Sequence, residues 1–102
     1  MLGGDHSCPL GFLEALGERH ESFGILQLDA HMDLREAYEG FKHSHASIMY
    51  NALQLPALSK LVQVGIRDYC EEELELANHD ERVAVFFDQE LKWQKFEGVT
   101  WQ

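Results

Sequence analysis

Hydrophobic and polar positions along the chain follow two spacings, one typical of helices and one typical of short buried strands. Helical spacing, with apolar residues every three or four positions, predicts four helices. They cover 8–18, the segment from Ser44 to the Pro56 that stops the second helix, 69–77 and 90–96. Short apolar runs predict strands at 1–4, 23–28, 61–66 and 83–87. The polar segment 34–43 predicts irregular structure.

Strands and helices therefore alternate along the whole chain. This order predicts an α/β fold, a three-layer α-β-α arrangement in which helices cover both faces of a mostly parallel sheet. The first strand starts at Met1 and the pattern stops abruptly at Gln102, so we expect one partial domain over 1–102, incomplete at both ends. Such a sheet leaves apolar groups poorly covered, and the candidates are Phe86, Phe87, Trp93 and Trp101.

Composition narrows the class of protein. With 102 residues and 45% hydrophobic residues the chain suits one small globular domain, and its net charge of -10 argues against nucleic acid or an anionic membrane as a partner. The charge mildly favours a cationic substrate, although simple solubility is the preferred explanation of it. Cys8 and Cys70 have no zinc-type spacing, and no signal peptide or membrane span is evident, so we expect a cytoplasmic protein.

The strand predicted at 23–28 runs directly into a cluster of metal-type side chains. In an extended chain, Asp29, His31 and Asp33 would occupy alternate positions and point to one face. His6 follows the strand predicted at 1–4, and the carboxyl ends of parallel strands meet at one edge of a sheet. Carboxylates with imidazole and no thiolate favour Mn²⁺, with cobalt or zinc as alternatives. The competing interpretation is a polar loop with solvated acids.

Two sequence motifs carry a family resemblance. The segments 3–7 (GGDHS) and 29–33 (DAHMD) resemble, in order and separation, the metal-binding motifs of the ureohydrolase family of arginases and agmatinases. The resemblance implies two Mn²⁺ ions, and hydrolysis of a guanidino compound to urea and an amine by a hydroxide that bridges them. It also implies assembly into homo-oligomers, either trimers or hexamers.

The resemblance also assigns roles to single residues. It implies that Asp29 bridges the two ions, that His6 and Asp33 complete the set around one, and that His31 binds the other. His45, in a serine-histidine-small pattern, resembles the histidine that passes a proton to the leaving amine, a role suited to a group that titrates near neutral pH. His43 is the competing candidate.

The segment 65–68 (GIRD) resembles a family loop that precedes an aspartate for the α-amino group of arginine. Here Tyr69 and Cys70 follow without a matching aspartate, although Glu71 or Glu72 could substitute. This difference favours agmatine, which lacks the amino-acid head, over arginine. Arginase, guanidinobutyrase and formimidoylglutamase activities remain alternatives, as does a non-catalytic binding or assembly module.

Some of the family's pattern has no counterpart in this chain. No D-x-D pair follows Asp33, and the family's glutamate near the guanidinium is missing as well. We therefore expect the 102 residues alone to bind Mn²⁺ weakly and to turn over no substrate. A deacetylase of the related fold holds a single zinc with different histidines, so the intact DAHMD segment argues against that activity.

Overall fold

The computed structural model describes residues 4–5, 7–36 and 45–100, in which helices and strands alternate. The elements are α1 (Pro9–Arg19), β1 (Phe23–Leu28), α2 (Ile48–Leu53), β2 (Leu58–Ile66), α3 (Glu71–His79), β3 (Val83–Phe87) and α4 (Asp88–Phe96). None of these described helices is long and apolar enough to cross a membrane.

The three described strands form one parallel sheet in the order β1-β2-β3. The central strand β2 pairs with β1 from Leu58 opposite Phe23 to Val64 opposite Leu28. Parallel neighbours need a crossover connection, which α2 and α3 provide within the described residues. This arrangement confirms the predicted α/β fold with a parallel sheet. The strand predicted at 1–4 lies largely outside the described residues.

Strand β2 begins at Leu58, earlier than the predicted 61–66. Its first residues are held by pairing that the sequence pattern does not reveal, since the Phe23 amide donates to the Ala57 carbonyl at 2.9 Å. The polar residues Ser59 and Lys60 interrupt the apolar run, so the sequence pattern does not show this start. The spacing of apolar residues indicates which side chains are buried, but not which backbone groups are hydrogen-bonded to a neighbouring strand.

Three helix starts also differ from prediction by two residues or more. A turn of 3₁₀ helix at His45–Ser47 precedes α2, where a helix from Ser44 was expected. The α3 helix starts after Cys70 and not at Tyr69, because the Glu73 carboxylate accepts the Cys70 amide at 3.1 Å and caps the helix there. The α4 helix follows β3 with no intervening loop, two residues before the predicted start.

The hydrophobic core lies on one face of the sheet, beneath α1, α2 and α3. Leu61 and Ile66 of the central strand are fully buried there. The other buried members come from the three helices, the start of β2 and the segment after β1: Leu13, Met32, Leu34, Ile48, Met49, Ala52, Leu53, Leu58 and Ala77. The predicted helices thus bury their apolar stripes against one sheet face.

The other face of the sheet is only partly covered. The α4 helix lies along it and borders a half-open pocket of about 700 Å³ whose lining includes Val64 and Phe86. Beside this helix, Leu26 and Leu28 remain 66% and 74% exposed. Helices on the two faces give the three layers expected from the sequence, with α4 as the single described helix of the outer layer.

The predicted exposure of large apolar groups is confirmed for two residues and wrong for one. Phe86 is 48% exposed and Trp93 is 63% exposed. Phe87 instead packs against the core and contacts the Tyr69 ring, with ring centroids 5.2 Å apart. Neighbouring strand residues point to opposite faces, so only one of the two phenylalanines can share the open face. Trp101 lies outside the described residues.

An ion pair before β3 joins three elements at the amino edge of the sheet. The Arg82 guanidinium makes a fork with Asp80, at 2.8 Å from Nη2 to Oδ2 and 3.0 Å from Nε to Oδ1. Its Nη2 also donates to the Leu53 carbonyl at 3.0 Å. The hydrogen bonds from the Arg82 side chain hold the pKa of Asp80 below its ordinary value of 3.8, against the opposing effect of burial.

We expect Asp80→Asn to lower the free energy of unfolding at pH 7 by about 1 kcal/mol, because the pair is partly exposed and screened. A depressed folded-state pKa contributes stability above pH 4, and this contribution disappears as pH falls through the folded-state value. The difference in the free energy of unfolding between wild type and variant should therefore shrink as the pH is lowered from about 5 to about 2, measured by urea titration at each pH. Glu81→Gln, an exposed neighbour, is the control, and a pH-independent difference would contradict the assignment.

Candidate metal centre

The segment 29–33 forms a loop at the carboxyl end of β1, fastened to the end of β2. The Asp29 amide donates to the Val64 carbonyl at 3.0 Å, and the Ala30 carbonyl accepts the amides of Arg67 and Asp68. His31 and Asp68 then form an isolated parallel bridge beyond the two strands. The DAHMD and GIRD segments, predicted to follow separate strands, are thus adjacent at one sheet edge.

Gly65 permits this close approach. Its φ angle is +91°, in the region that favours glycine, and a Cβ atom there would lie 3.2 Å from the Asp29 carbonyl oxygen. The same residue interrupts the register between β2 and β3, between Val64 and Ile66. The irregularity lets Ile66 reach the core while the backbone bends toward the loop.

The loop itself is not extended, so the prediction that its three ligand-type residues share one strand face is wrong. Strand β1 ends at Leu28, residues 29 and 30 form a bend, and Asp33 has a left-handed φ of 56°. His31 is exposed whereas Asp33 is only 4% exposed. The turn arises because the loop must fold back over the core, where Met32 and Leu34 are buried.

The structure brings Asp29, His31 and Asp68 into one row. Asp29 Oδ1 lies 3.3 Å from His31 Nδ1 and accepts the His31 amide at 3.0 Å. On the other side of the imidazole, His31 Nε2 is 3.6 Å from Asp68 Oδ2. Asp68 was not among the predicted ligands, although its position after a parallel strand could have placed it at this edge.

The donor chemistry of this row fits a divalent cation. Asp29 Oδ1 and His31 Nδ1 lie 3.3 Å apart, so a position beside both atoms would place one ion within reach of a carboxylate oxygen and an imidazole nitrogen. With Nδ1 directed to that position, Nε2 faces Asp68, the arrangement in which a carboxylate orients a metal-binding histidine. Carboxylate and imidazole donors suit Mn²⁺.

A buried carboxylate from α3 holds the far end of the loop. Glu73, 3% exposed, accepts the Leu34 amide at 3.0 Å and lies 3.5 Å from the Arg35 guanidinium, in addition to capping its own helix at Cys70. Sequence reasoning missed this residue because it lies in a run of three glutamates, which is typical of a solvated helix start. Only its position three residues after the cap distinguishes it.

The two remaining predicted site residues are described only in part. His6 lies outside the described residues. The backbone of His45 forms the turn before α2, whereas its side chain lies outside the described part of the structure. That turn is tied to the loop, since the Arg35 amide donates to the Ala46 carbonyl at 3.2 Å and the Asp33 carbonyl accepts the Met49 and Tyr50 amides of α2. His43 lies outside the described residues.

Within residues 4–5, 7–36 and 45–100, no three histidine, cysteine, aspartate or glutamate side chains are arranged to hold a metal ion. The described geometry therefore contains a two-residue pair, Asp29 and His31, and a buried Asp33 in the same loop whose Oδ2 lies 3.5 Å from Gln27 Nε2. Whether the predicted set of four ligands forms depends on His6, and the ligand roles stay predictions.

Comparisons with known proteins point to one enzyme family. A model of the arginase family matches residues 1–101. The N(1)-aminopropylagmatine ureohydrolase of Synechocystis sp. is 34% identical over 93 residues, covering 88% of this chain and 29% of that protein. The agmatinase of Bacillus cereus is 34% identical over 76 residues, covering 74% of this chain and 26% of that protein.

The fold agrees as well. The structure of an arginase from Medicago truncatula matches with a TM-score of 0.81 at 31% identity, covering 93% of this chain and 30% of that one. The chain thus spans less than a third of the length of these three proteins.

Proposed function

Because the chain belongs to the arginase family, we propose that it serves Mn²⁺-dependent hydrolysis of a guanidino compound to urea and an amine, with agmatine as substrate and putrescine as the amine. The observation that carries the proposal is the loop 29–33, which sets Asp29 and His31 donors 3.3 Å apart at the carboxyl edge of a parallel sheet. The names of similar proteins, among them agmatinases and arginases, support the reaction class more strongly than the particular substrate.

In this proposal His6, Asp29, His31 and Asp33 would hold two Mn²⁺ ions, and Asp29 would contribute to both. Such a pair would supply the Lewis acidity that activates water for hydrolysis. Asp68 keeps the His31 ring oriented from the side opposite to Asp29. The acids of this edge also favour a cationic guanidinium over neutral or anionic compounds.

His45 has the role of proton donor to the leaving amine. Support comes from its backbone position, since the turn that carries it is hydrogen-bonded to the segment directly after the loop. A histidine titrates near neutral pH and can therefore both take up and release a proton during turnover.

The preference for agmatine over arginine rests on the segment after Gly65. Tyr69 is partly exposed there and its ring contacts Phe87, so this position offers an aromatic surface and no carboxylate for an α-amino group. Glu71 and Glu72 begin α3 and are exposed, which keeps arginine as the alternative substrate.

The protein's setting is proposed from the same resemblance. We place it in the cytoplasm, consistent with Cys8 and Cys70 being free thiols. A homo-oligomer, trimeric or hexameric, is the proposed assembly of the whole enzyme. The open apolar face around Leu26 and Leu28 is compatible with burial against further protein.

The proposal is tested by Mn²⁺ binding and by urea release. We expect the 102-residue chain to bind Mn²⁺ weakly, followed by electron paramagnetic resonance, and to release no urea from agmatine or arginine. When these residues replace the matching segment of the Bacillus cereus agmatinase, the chimera should release urea from agmatine. His45→Gln in that chimera should retain Mn²⁺ and lower kcat by about 10²- to 10⁴-fold, the usual contribution of a general acid.

Two outcomes would contradict these expectations. A folded chimera that binds no Mn²⁺ and releases no urea would favour the second candidate, a non-catalytic binding or assembly module. Urea release by the 102 residues alone would contradict the expectation that the missing D-x-D pair is essential.

A further inference from the structure

Two glutamines lie buried beneath the loop, in strands that are otherwise apolar. Gln27 of β1 is opposite Gln63 of β2 in the parallel register, and they are only 7% and 0% exposed. Polar side chains at the centre of a sheet face cost free energy on burial unless their hydrogen-bonding groups are used. Their hydrogen bonds therefore indicate what this pair contributes.

The donor groups of both glutamines point in one direction, from β2 through β1 to the loop. Gln63 Nε2 donates to Gln27 Oε1 and to the Met32 carbonyl, both at 2.6 Å. Gln27 Nε2 donates to the His31 carbonyl at 3.0 Å and makes a long contact of 3.5 Å with Asp33 Oδ2. A reversed Gln63 amide would instead bring its oxygen against two other oxygens.

The side-chain oxygen of Gln63 indicates that the two glutamines are oriented to use their NH₂ donors. Gln63 Oε1 is buried and has no hydrogen-bond partner within the described part of the chain. A side chain kept only to satisfy the strands would gain from an apolar replacement, because an unsatisfied buried oxygen is destabilising. The two nitrogens, by contrast, reach three consecutive residues of the loop, His31, Met32 and Asp33.

We propose that Gln27 and Gln63 form a positioning clamp that fixes the backbone of the loop 29–33 and thereby the aim of its metal-binding side chains. The inference rests on the proposed metal role of that loop. The clamp holds the carbonyls of His31 and Met32 inward, so that the His31 ring projects outward between Asp29 and Asp68. Neither glutamine touches metal or substrate in this role.

The test replaces both glutamines with leucine, which is similar in size and removes both partners of their shared hydrogen bond. We expect Gln27→Leu/Gln63→Leu to keep a cooperative unfolding transition at reduced stability, because the shared hydrogen bond is removed with both its partners whereas the His31 and Met32 carbonyls lose their donors. Its Kd for Mn²⁺ should rise by about 10- to 100-fold, the usual loss when groups behind metal ligands are removed. Gln54→Leu, at an exposed helix end, is the control and should keep the wild-type Kd.

Hydrogen exchange in the metal-free chain provides a readout that does not depend on the metal. The His31 and Leu34 amides, bonded to Asp29 and Glu73, should exchange at least about tenfold faster in the double variant. The Leu61 amide, bonded to the Arg82 carbonyl at the start of the sheet, should be accelerated by a clearly smaller factor than the loop amides.

The readouts separate failure of the clamp from failure of the proposed function. Wild-type exchange at His31 and Leu34 in the folded double variant would overturn the clamp. The clamp would also be overturned if the loss of Mn²⁺ affinity came with equal acceleration of exchange at Leu61 and at the loop amides, because the variant would then be destabilised as a whole. If wild type binds no Mn²⁺, the metal role fails and the exchange rates alone decide the clamp. Gln27→Leu, which leaves Gln63 bonded to Met32, carries the exchange test if the double variant does not fold.

Discussion

Asp33→Asn is expected to weaken Mn²⁺ binding by at least about 100-fold, because it replaces a proposed ligand. Removing a group that only supports a ligand already lowers metal affinity by about 10- to 100-fold. The substitution keeps the shape of the side chain. Asparagine tolerates the left-handed φ of 56° as aspartate does, and its amide oxygen can keep the contact with Gln27. The change is therefore one of charge and ligand type, with the loop intact.

Mn²⁺ titration followed by electron paramagnetic resonance measures this effect directly. Glu81→Gln provides the matched control, since it removes one negative charge from an exposed turn before β3, at the opposite edge of the sheet. If both variants lose the same small amount of affinity, Mn²⁺ responds to net charge and Asp33 is not a ligand.

Leu61→Ala should lower the free energy of unfolding by about 2–5 kcal/mol, the range for truncating a buried leucine whose site cannot collapse. Leu61 is 0% exposed in the central strand, between β1 and β3, and packs beneath the helices of the inner face. A domain of this size has roughly 5–15 kcal/mol in total, so the variant should unfold at far lower urea concentration.

Leu26→Ala makes the same chemical change on the other face of the sheet. Leu26 is 66% exposed, so its truncation should change the free energy of unfolding by no more than about 0.5 kcal/mol. Equal losses in the two variants would mean that the outer face is packed in solution, either against a second copy or against further protein. Protein-concentration dependence of the Leu26→Ala effect distinguishes self-association.

The helices and strands were predictable wherever one spacing of apolar residues was unbroken. Strands β1 and β3 match their predicted bounds, since both are short apolar runs bounded by polar residues. The starts of β2 and α3 were not predictable, because each is set by a hydrogen bond to a residue distant in sequence or to a side chain. Phe23 to Ala57 and Cys70 to Glu73 are those contacts.

The candidate site was predictable in its residue types and not in its shape. Asp29, His31 and Asp33 are recognisable from their chemistry and from the family resemblance. Reading them as extended strand failed at Asp33, because the backbone turns left-handed there to bury Met32 and Leu34. Asp68 was visible in the sequence, but its place beside His31 depends on which strands are neighbours.

Local chemistry accounts for what could be read from the residues alone: the α/β order, the open face around Phe86 and the metal-type loop at the carboxyl edge. These features follow from the types of side chain and from their spacing along the sequence, neither of which depends on the tertiary structure. The partners of the loop follow from packing. Gln27 meets Gln63 across 36 residues and Leu34 meets Glu73 across 39, and neither distance leaves a periodic signal. Strand register and helix docking set those meetings, because they alone determine which distant polar groups share a buried space.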